Sequence, residues 1–115
     1  MVYLTVRLNK DIKDGFFVFC ENKGITLSSA VRLYVSEFVR RRGHITDSIT
    51  PSSIARVSKE DATIGVRIER SLRDSFVDLC NNHNLPASYV VRDFMFGCVK
   101  NGAFPYGVLE NGGIS

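Results

Sequence analysis

Cysteine is scarce in this sequence, with three residues among 115 and no Cys-x-x-Cys pair. An odd number without metal-ligand spacing argues against both a disulfide framework and a structural zinc site. His44 and His83 also lack a partner at metal-ligand spacing. We therefore expect no bound metal, and we expect Cys20 and Cys80 to be buried apolar side chains in a reducing cytoplasm.

Long apolar runs are absent as well. No stretch approaches the roughly 18 apolar residues that a membrane-spanning helix needs, and the first residues do not form a basic segment followed by a long apolar one. Glycine-rich phosphate loops and nucleophile–base groups are also missing, and the matched Asp14 and Asp74 suit a solvated helix face. The sequence thus predicts a cytoplasmic protein with no membrane contact, no enzymatic activity and no cofactor.

The overall composition is that of a globular domain, with 44% apolar and 23% charged residues. The net charge of +3 neither requires nor excludes nucleic acid by itself. Residues 1–43 contain eight Lys or Arg against four Asp or Glu, whereas residues 62–102 contain five against four. The first part ends in Arg40, Arg41 and Arg42, a run that suits the negative end of a helix or a contact with DNA or a partner.

The chain repeats itself after a shift of 60 residues, because residues 4–42 align without a gap with residues 64–102. The identical pairs include Val6/Val66, Arg7/Arg67, Phe16/Phe76, Cys20/Cys80 and Arg32/Arg92. The pattern of apolar residues is also kept, which indicates two copies of one structural unit. The predicted organisation is repeat 1 (1–43), a linker (44–61), repeat 2 (62–102) and a C-terminal tail (103–115).

Each repeat opens with strict alternation of apolar and other residues, which is typical of a half-buried strand. The apolar positions are Leu4, Val6 and Leu8 in repeat 1 and Ile64, Val66 and Ile68 in repeat 2. The residues that would face the other way are Tyr3, Thr5 and Arg7, and Thr63, Gly65 and Arg67.

Apolar spacings of three and four follow each strand and predict an amphipathic helix of about 13 residues. These positions are Ile12, Phe16, Phe19 and Cys20, and Leu72, Phe76, Leu79 and Cys80. Asn9 is a suitable N-cap in repeat 1, whereas repeat 2 offers the poorer Glu69 or a later start at Ser71. Gly24 and Asn84 are expected to end these helices in the left-handed conformation.

A second amphipathic helix follows in each repeat. Thr26 is the expected N-cap in repeat 1, and Pro86 takes its place in repeat 2, since a proline is tolerated at the start of a helix. A single unit of strand, helix and helix is too short to close a core of its own. The sequence therefore predicts an α+β fold that is mostly α, an intrachain pseudo-dimer with a two-stranded antiparallel ribbon and four helices on one face.

These motifs resemble the ribbon-helix-helix family of DNA-binding proteins, which includes the Arc and MetJ type repressors and many antitoxins. The resemblance is carried by Val6-Arg7-Leu8-Asn9 and Val66-Arg67-Ile68, by the turn Gly24-Ile25-Thr26-Leu27-Ser28, and by Val31-Arg32 and Val91-Arg92. Tandem units are similar to those of relaxosome accessory proteins of F-like plasmids, and small phage regulators are an equally suitable group.

The resemblance implies that the ribbon lies in the major groove of double-stranded DNA. The implied base-contacting residues are Tyr3, Thr5, Arg7, Thr63, Gly65 and Arg67. The implied phosphate-contacting residues, at the start of the second helices, are Thr26, Leu27 and Ser28, and Ala87 and Ser88. Pro86 lacks an N–H group in this region, which weakens the expectation for repeat 2. Arg32 and Arg92 are interpreted as partners for a carboxylate or a backbone group near the helix junction, with a phosphate contact as the lesser alternative.

The function expected from these features is sequence-specific DNA binding, in a transcriptional regulator of a phage or plasmid. Because Gly65 stands where repeat 1 has Thr5, we expect an asymmetric target sequence. The alternatives are a protein-interaction module that binds a toxin or host factor through residues 103–115, and an architectural protein of a relaxosome. A monomeric pseudo-dimer and a homodimer both remain open.

Overall fold

The computed structural model describes residues 1–42 and 62–102. Each of these two ranges forms a strand followed by two helices. Repeat 1 contains β1 (Val2–Leu8), α1 (Lys10–Asn22) and α2 (Leu27–Arg40). Repeat 2 contains β2 (Ala62–Ile68), α3 (Arg70–Asn82) and α4 (Ala87–Asn101). The predicted α+β, mostly α fold is confirmed, while the predicted linker and tail lie outside the described residues.

The two strands pair with each other as an antiparallel ribbon. Tyr3 lies opposite Arg67, Thr5 opposite Gly65, and Arg7 opposite Thr63. Thr5 and Gly65 are equivalent positions of the two repeats, so the register is symmetric about this central pair. The alternation places the apolar side chains of both strands on the inner face, where each is at most 6% exposed: Leu4, Val6, Leu8, Ile64, Val66 and Ile68.

The helices pack across the two repeats. Helix α1 lies against α4, and α2 lies against α3. The ring of Phe16 on α1 meets the edge of Phe94 on α4 with centroids 5.7 Å apart, and Phe38 on α2 meets Phe76 on α3 at 5.1 Å. Tyr34 and Phe94, which are equivalent residues, stack at 4.1 Å in the centre. The repeats therefore share one core.

The ends of the first helices mostly follow the sequence. The Asn9 side chain accepts a hydrogen bond from the Asp11 amide at 2.7 Å, which confirms the predicted N-cap of α1. The backbone at Gly24 and Asn84 is left-handed, with φ of 73° and 59°, as predicted. The later start at Ser71 is wrong, since α3 begins at Arg70 after Glu69, whose side chain makes no capping hydrogen bond.

Pro86 takes the place of Thr26 in repeat 2, as the sequence predicts. Pro86 is the N-cap of α4, with an extended ψ of 138°, and the helix begins one residue later at Ala87. The missing N–H group therefore lies just before the first helical turn. Thr26 caps α2 with its side chain, whereas Pro86 makes no side-chain hydrogen bond at the start of α4.

All three cysteines are buried free thiols, which confirms the interpretation of Cys20 and Cys80 as small apolar side chains. Burial raises the pKa of Cys20 to about 11 and that of Cys80 to about 12. Thiolates of such high pKa are scarce at neutral pH. None of the helices in residues 1–42 and 62–102 is both long enough and apolar enough to cross a bilayer.

Candidate nucleic-acid interface

The outer face of the ribbon brings together all the residues that the resemblance implies as base-contacting. Each of the six is exposed: Tyr3, Thr5, Arg7, Thr63, Gly65 and Arg67. The register arranges them as three cross-strand pairs, with Arg7 and Arg67 on different strands at opposite ends of the face. This face consequently offers two guanidinium groups, two hydroxyls of threonine and one phenol to a ligand.

The centre of this face is asymmetric. A Cβ atom added at Gly65 would lie 3.6 Å from Cδ1 of Tyr3, so the ring of Tyr3 lies beside the glycine. Tyr3 itself remains 61% exposed. Its equivalent in repeat 2, the much smaller Thr63, lies opposite Arg7. One arginine therefore has an aromatic neighbour across the ribbon, and the other has a threonine.

Two cations of repeat 1 hold the backbone of β2. Lys13 Nζ on α1 donates a hydrogen bond to the Thr63 carbonyl at 3.1 Å, and Arg32 Nη1 on α2 donates one to the Arg67 carbonyl at 3.2 Å. Alternate carbonyl groups of a strand without a second neighbouring strand point away from the ladder and need other partners. Hydrogen bonds from charged donors are among the stronger kinds. The bonds from Lys13 and Arg32 therefore help to hold the backbone of β2 in place.

Arg32 was expected to bind a carboxylate or a backbone group near the helix junction; it does donate to a backbone carbonyl, but that carbonyl belongs to Arg67 on a strand. The acceptor lies on the strand of the other repeat. The role of Lys13 was not foreseen. A lysine on an amphipathic helix resembles any solvated residue in the sequence, and only the docking of α1 beside β2 brings it to Thr63.

The first turn of α2 is the expected phosphate-contacting region of repeat 1. Thr26 caps the helix, and its Oγ1 accepts a hydrogen bond from the Ser29 amide at 3.1 Å. The amides of Leu27 and Ser28 belong to the first turn, where a helix has no internal acceptor for its N–H groups. Together with the positive end of the helix dipole, such amides favour an anion.

The corresponding turn of α4 keeps part of this arrangement. Ala87 and Ser88 take the positions of Leu27 and Ser28, and the next amide, that of Tyr89, donates to the Pro86 carbonyl at 3.0 Å. The backbone N–H groups of Ala87 and Ser88 therefore lie in the first turn of α4, as those of Leu27 and Ser28 do in α2. The hydroxyl of Thr26 has no counterpart, because Pro86 occupies its position.

Two arginines of the run at the end of α2, Arg40 and Arg41, are engaged by a glutamate of the same helix. Glu37 forms ion pairs with Arg40 and with Arg41, the latter at 2.6 Å. The hydrogen bond from Arg40 lowers the pKa of Glu37 to about 2, although partial desolvation opposes the shift. Because α2 has 14 residues, its last turn lies about 20 Å from its first. The geometry favours the interpretation of this run as a complement to the helix end.

Asp14 and Asp74 are exposed on α1 and α3, in agreement with the solvated face expected for them. Asp74 pairs with Arg73 at 3.1 Å. Among residues 1–42 and 62–102, no group of three or more histidine, cysteine or acidic side chains is placed to hold a metal ion.

Comparison with known proteins adds no relative to this description. No family model, no curated protein and no solved structure matches the chain. The case for a function consequently rests on the ribbon, the helix ends and the contacts between them.

Proposed function

We propose that the chain is a sequence-specific double-stranded DNA-binding protein of the ribbon-helix-helix type, which places its β1–β2 ribbon in the major groove. The observation that carries this proposal is the outer face of the ribbon, where Arg7 and Arg67 lie exposed together with two threonines, a tyrosine and a glycine. The major groove of B-DNA is about 12 Å wide and admits a two-stranded ribbon. The guanidinium group of arginine fits the O6 and N7 acceptors of guanine with two hydrogen bonds.

The strand register also gives an expected number of base pairs between the two proposed guanine contacts. Arg67 lies opposite Tyr3, four positions along β1 from Arg7, which is about 13 Å in an extended strand. At a rise of about 3.4 Å for each base pair, this distance corresponds to about four base pairs. The proposed target therefore contains two guanines about four base pairs apart, one for each arginine.

Phosphate contacts would orient the ribbon in the groove. The first turns of α2 and α4 supply the amides of Leu27 and Ser28, and of Ala87 and Ser88, as donors for phosphate oxygens. Thr26 adds a hydroxyl in repeat 1 only. Because the base-contacting and phosphate-contacting residues both differ between the repeats, we propose that the two half-sites are unequal in sequence and in affinity.

The cellular role that fits such binding is regulation of transcription in a phage or plasmid, by a protein located in the cytoplasm. The chain would act as a monomeric pseudo-dimer, since it contains both strands of the ribbon. An architectural role in a relaxosome uses the same surface and differs in the location of its target. Binding sites clustered at a transfer origin instead of a promoter would favour the architectural role.

A binding measurement tests the proposal directly. The purified chain is titrated into a pool of random duplexes at moderate salt, and the same titration is made with the double variant R7A/R67A and with the control R42A. We expect enrichment of a defined site by the wild-type chain and by R42A, and loss of this enrichment in R7A/R67A. A wild-type chain that enriches no sequence would contradict the proposal.

A second candidate function, protein interaction, is favoured by one surface feature. Phe17 and Val18 on α1 are 52% and 51% exposed, whereas the residue equivalent to Val18 in repeat 2 is the charged Asp78. The tail of residues 103–115, first considered for this role, lies outside the described residues. If a partner co-purifies, V18D should release it while DNA binding is retained; release by deletion of the tail alone would assign the contact to the tail.

A further inference from the structure

Hydrogen bonds between side chains connect the first turn of α2 to the ribbon. Thr26 Oγ1 donates to Ser29 Oγ at 2.8 Å, and Arg32 Nη2 donates to the same Ser29 oxygen at 3.2 Å. The other terminal nitrogen of Arg32 donates to the Arg67 carbonyl at 3.2 Å. These bonds form one continuous path from the N-cap of the helix to the backbone of the residue whose side chain lies on the outer face.

The planar guanidinium group of Arg32 is what makes this path possible. It presents several N–H donors in a fixed fork, so the bond to Ser29 sets the orientation in which the other nitrogen meets the strand. Ser29 is half-buried, and its hydroxyl is itself held by Thr26. The position of the Arg67 backbone is thus coupled to the same turn that is proposed to meet phosphate.

Repeat 2 holds its equivalent arginine in another way. Pro86 and Tyr89 replace Thr26 and Ser29, so neither aliphatic hydroxyl is present. The guanidinium carbon of Arg92 lies 4.4 Å from the centroid of the Tyr89 ring, which is a cation–π contact. Arg92 is only 3% exposed. Arg92 therefore contacts an aromatic ring at the position where Arg32 contacts a hydroxyl of the helix start.

We propose that Arg32, oriented by Ser29 and Thr26, is a positioning residue that determines base specificity at the half-site contacted by Arg67. This inference rests on the proposed function and extends it, because Arg32 acts through the backbone of Arg67 and not by touching a base. A phosphate held at the first turn of α2 would immobilise Thr26 and Ser29. Arg32, which bonds to Ser29, would in turn be held in the orientation in which it bonds to the Arg67 carbonyl. The half-site contacted by Arg7 does not use this path.

The test compares discrimination at the two half-sites. Equilibrium binding is measured for the selected duplex and for two duplexes that carry one substitution each, at the guanine contacted by Arg7 or at the guanine contacted by Arg67. The R7A and R67A variants assign the two guanines beforehand. The variants tested are R32A and S29A. Their matched controls are R42A, which removes an exposed charge, and S36A, which removes an exposed serine of the same helix.

A good bidentate contact discriminates bases by about 5- to 150-fold. We expect R32A to reduce discrimination at the Arg67 half-site by about tenfold within that range, and S29A to reduce it by a smaller factor in the same direction. Discrimination at the Arg7 half-site should stay within about twofold in both variants, a change small beside that range. Thermal unfolding followed by circular dichroism establishes that each variant is folded at the assay temperature.

Three other results would overturn the inference. If R32A weakens binding to all three duplexes by the same factor, Arg32 contributes only charge. If discrimination falls equally at both half-sites, or is unchanged at both, Arg32 does not position Arg67 selectively, while the proposed function itself survives. If the wild-type chain shows no discrimination at either half-site, the proposed function fails and the inference fails with it.

Discussion

Arg7 and Arg67 occupy equivalent positions in the two repeats, yet their neighbours on the ribbon differ. Arg7 faces Thr63 across the strands, and Arg67 faces Tyr3. Thr63 is much smaller than Tyr3, whose ring lies beside Gly65 at the centre of the ribbon. The two arginines should consequently prefer different surroundings for the guanine that each one is proposed to contact.

Removal of either arginine should relax specificity at a single base pair. R7A and R67A are each expected to cost about 1–3 kcal/mol of discrimination at one position, because the bidentate contact to guanine is lost. The two positions should lie about four base pairs apart, given the 3.3 Å rise of each strand residue. Binding to a panel of duplexes with single substitutions measures both the loss and the position.

The control for this prediction is R42A, which removes an exposed charge just after the end of α2. It should weaken binding to every duplex by the same small factor, or not at all. If R7A and R67A behave in the same way as R42A, the ribbon arginines act as general charges and do not contact bases.

Gly65 offers a second test at the residue scale. A Cβ atom there would meet Tyr3 at an ordinary contact distance of 3.6 Å, and the exposed Tyr3 ring has room to move away from the γ atoms of a threonine, so G65T should be accommodated. Threonine also favours a strand over glycine, by up to about 1 kcal/mol. We expect the thermal midpoint of G65T to equal or exceed that of the wild type, and the central base preference to change. A clear fall in the midpoint would contradict the described position of Tyr3.

At this scale the sequence predicted which side chains are exposed on the ribbon, because alternation with period two fixes the face of each residue. It did not predict that Tyr3 lies beside Gly65, or that Lys13 and Arg32 bond to β2. Those contacts depend on the register of the two strands and on where each helix packs. Neither can be predicted from the local sequence pattern of a single segment.

At the scale of elements, the two repeats begin their helices with unequal caps. The N-caps of α1 and α2 are Asn9 and Thr26, whose side chains accept backbone hydrogen bonds, whereas α3 and α4 follow Glu69 and Pro86 without such bonds. A side-chain cap stabilises a helix by about 1 kcal/mol. The helix starts of repeat 1 are therefore better fixed than those of repeat 2.

Replacement of Thr26 should affect stability and DNA binding together. T26A is expected to lower the free energy of unfolding by about 1 kcal/mol, since the Ser29 amide loses its acceptor. It should also weaken DNA binding for all sequences, because the same turn is proposed to contact phosphate. Chemical denaturation and equilibrium binding measure the two effects.

The exposed Ser36 in the middle of α2 supplies the control. S36A should change the free energy of unfolding by no more than about 0.5 kcal/mol, as is usual for surface substitutions. A T26A variant as stable as S36A would contradict the capping role. A T26A variant with unchanged affinity for DNA would show that phosphate is bound elsewhere.

The elements themselves were largely predictable. The period of the apolar residues changes from two to between three and four at each strand–helix boundary. Asn9 was correctly predicted to begin a helix, and Gly24 and Asn84 were correctly predicted to end one. The predicted helix starts are less accurate in repeat 2, where the later start at Ser71 is wrong. Neither α3 nor α4 has a side-chain hydrogen bond at its N-cap, so the local sequence gives no strong signal for the first helical residue.

At the scale of the whole molecule, the core belongs to neither repeat alone. Phe16 of repeat 1 packs on Phe94 of repeat 2, and Phe76 of repeat 2 packs on Phe38 of repeat 1. Each repeat by itself would expose these rings together with the inner face of its strand. The two repeats should consequently unfold in one cooperative transition, as small domains with a single core do.

Removal of the central ring should show how far the two repeats depend on each other. Phe94 contacts both Phe16 and Tyr34, and F94A is expected to cost about 3–5 kcal/mol, from lost burial and from the cavity left behind. This is a large share of a typical stability of about 5–15 kcal/mol. Circular dichroism for the helices and tyrosine fluorescence should still report a single, coincident transition at lower denaturant.

F17A is the matched control, because it also removes a phenylalanine ring but at a position that is 52% exposed. It should change stability by about 0.5 kcal/mol or less. Two separate transitions in F94A, or equal losses in F94A and F17A, would contradict a core shared between the repeats.

The molecule can be asymmetric because both repeats belong to one chain. A homodimer presents two identical half-surfaces and favours a palindrome, whereas a single chain is free to vary each half. The differences described above concern the ribbon centre at Thr5 and Gly65, the neighbours Tyr3 and Thr63, and the helix start at Thr26 and Pro86. All of them lie on the surface proposed to meet DNA.

Site selection from random duplexes with the purified wild-type chain tests the central claim most directly. Light scattering on the same preparation establishes whether the chain is a monomer of 12.9 kDa. The account predicts one enriched site with two guanines about four base pairs apart, given the extended-strand rise, in unequal flanking sequences. Failure to enrich any site, or a perfect palindrome bound by a monomeric chain, would contradict it.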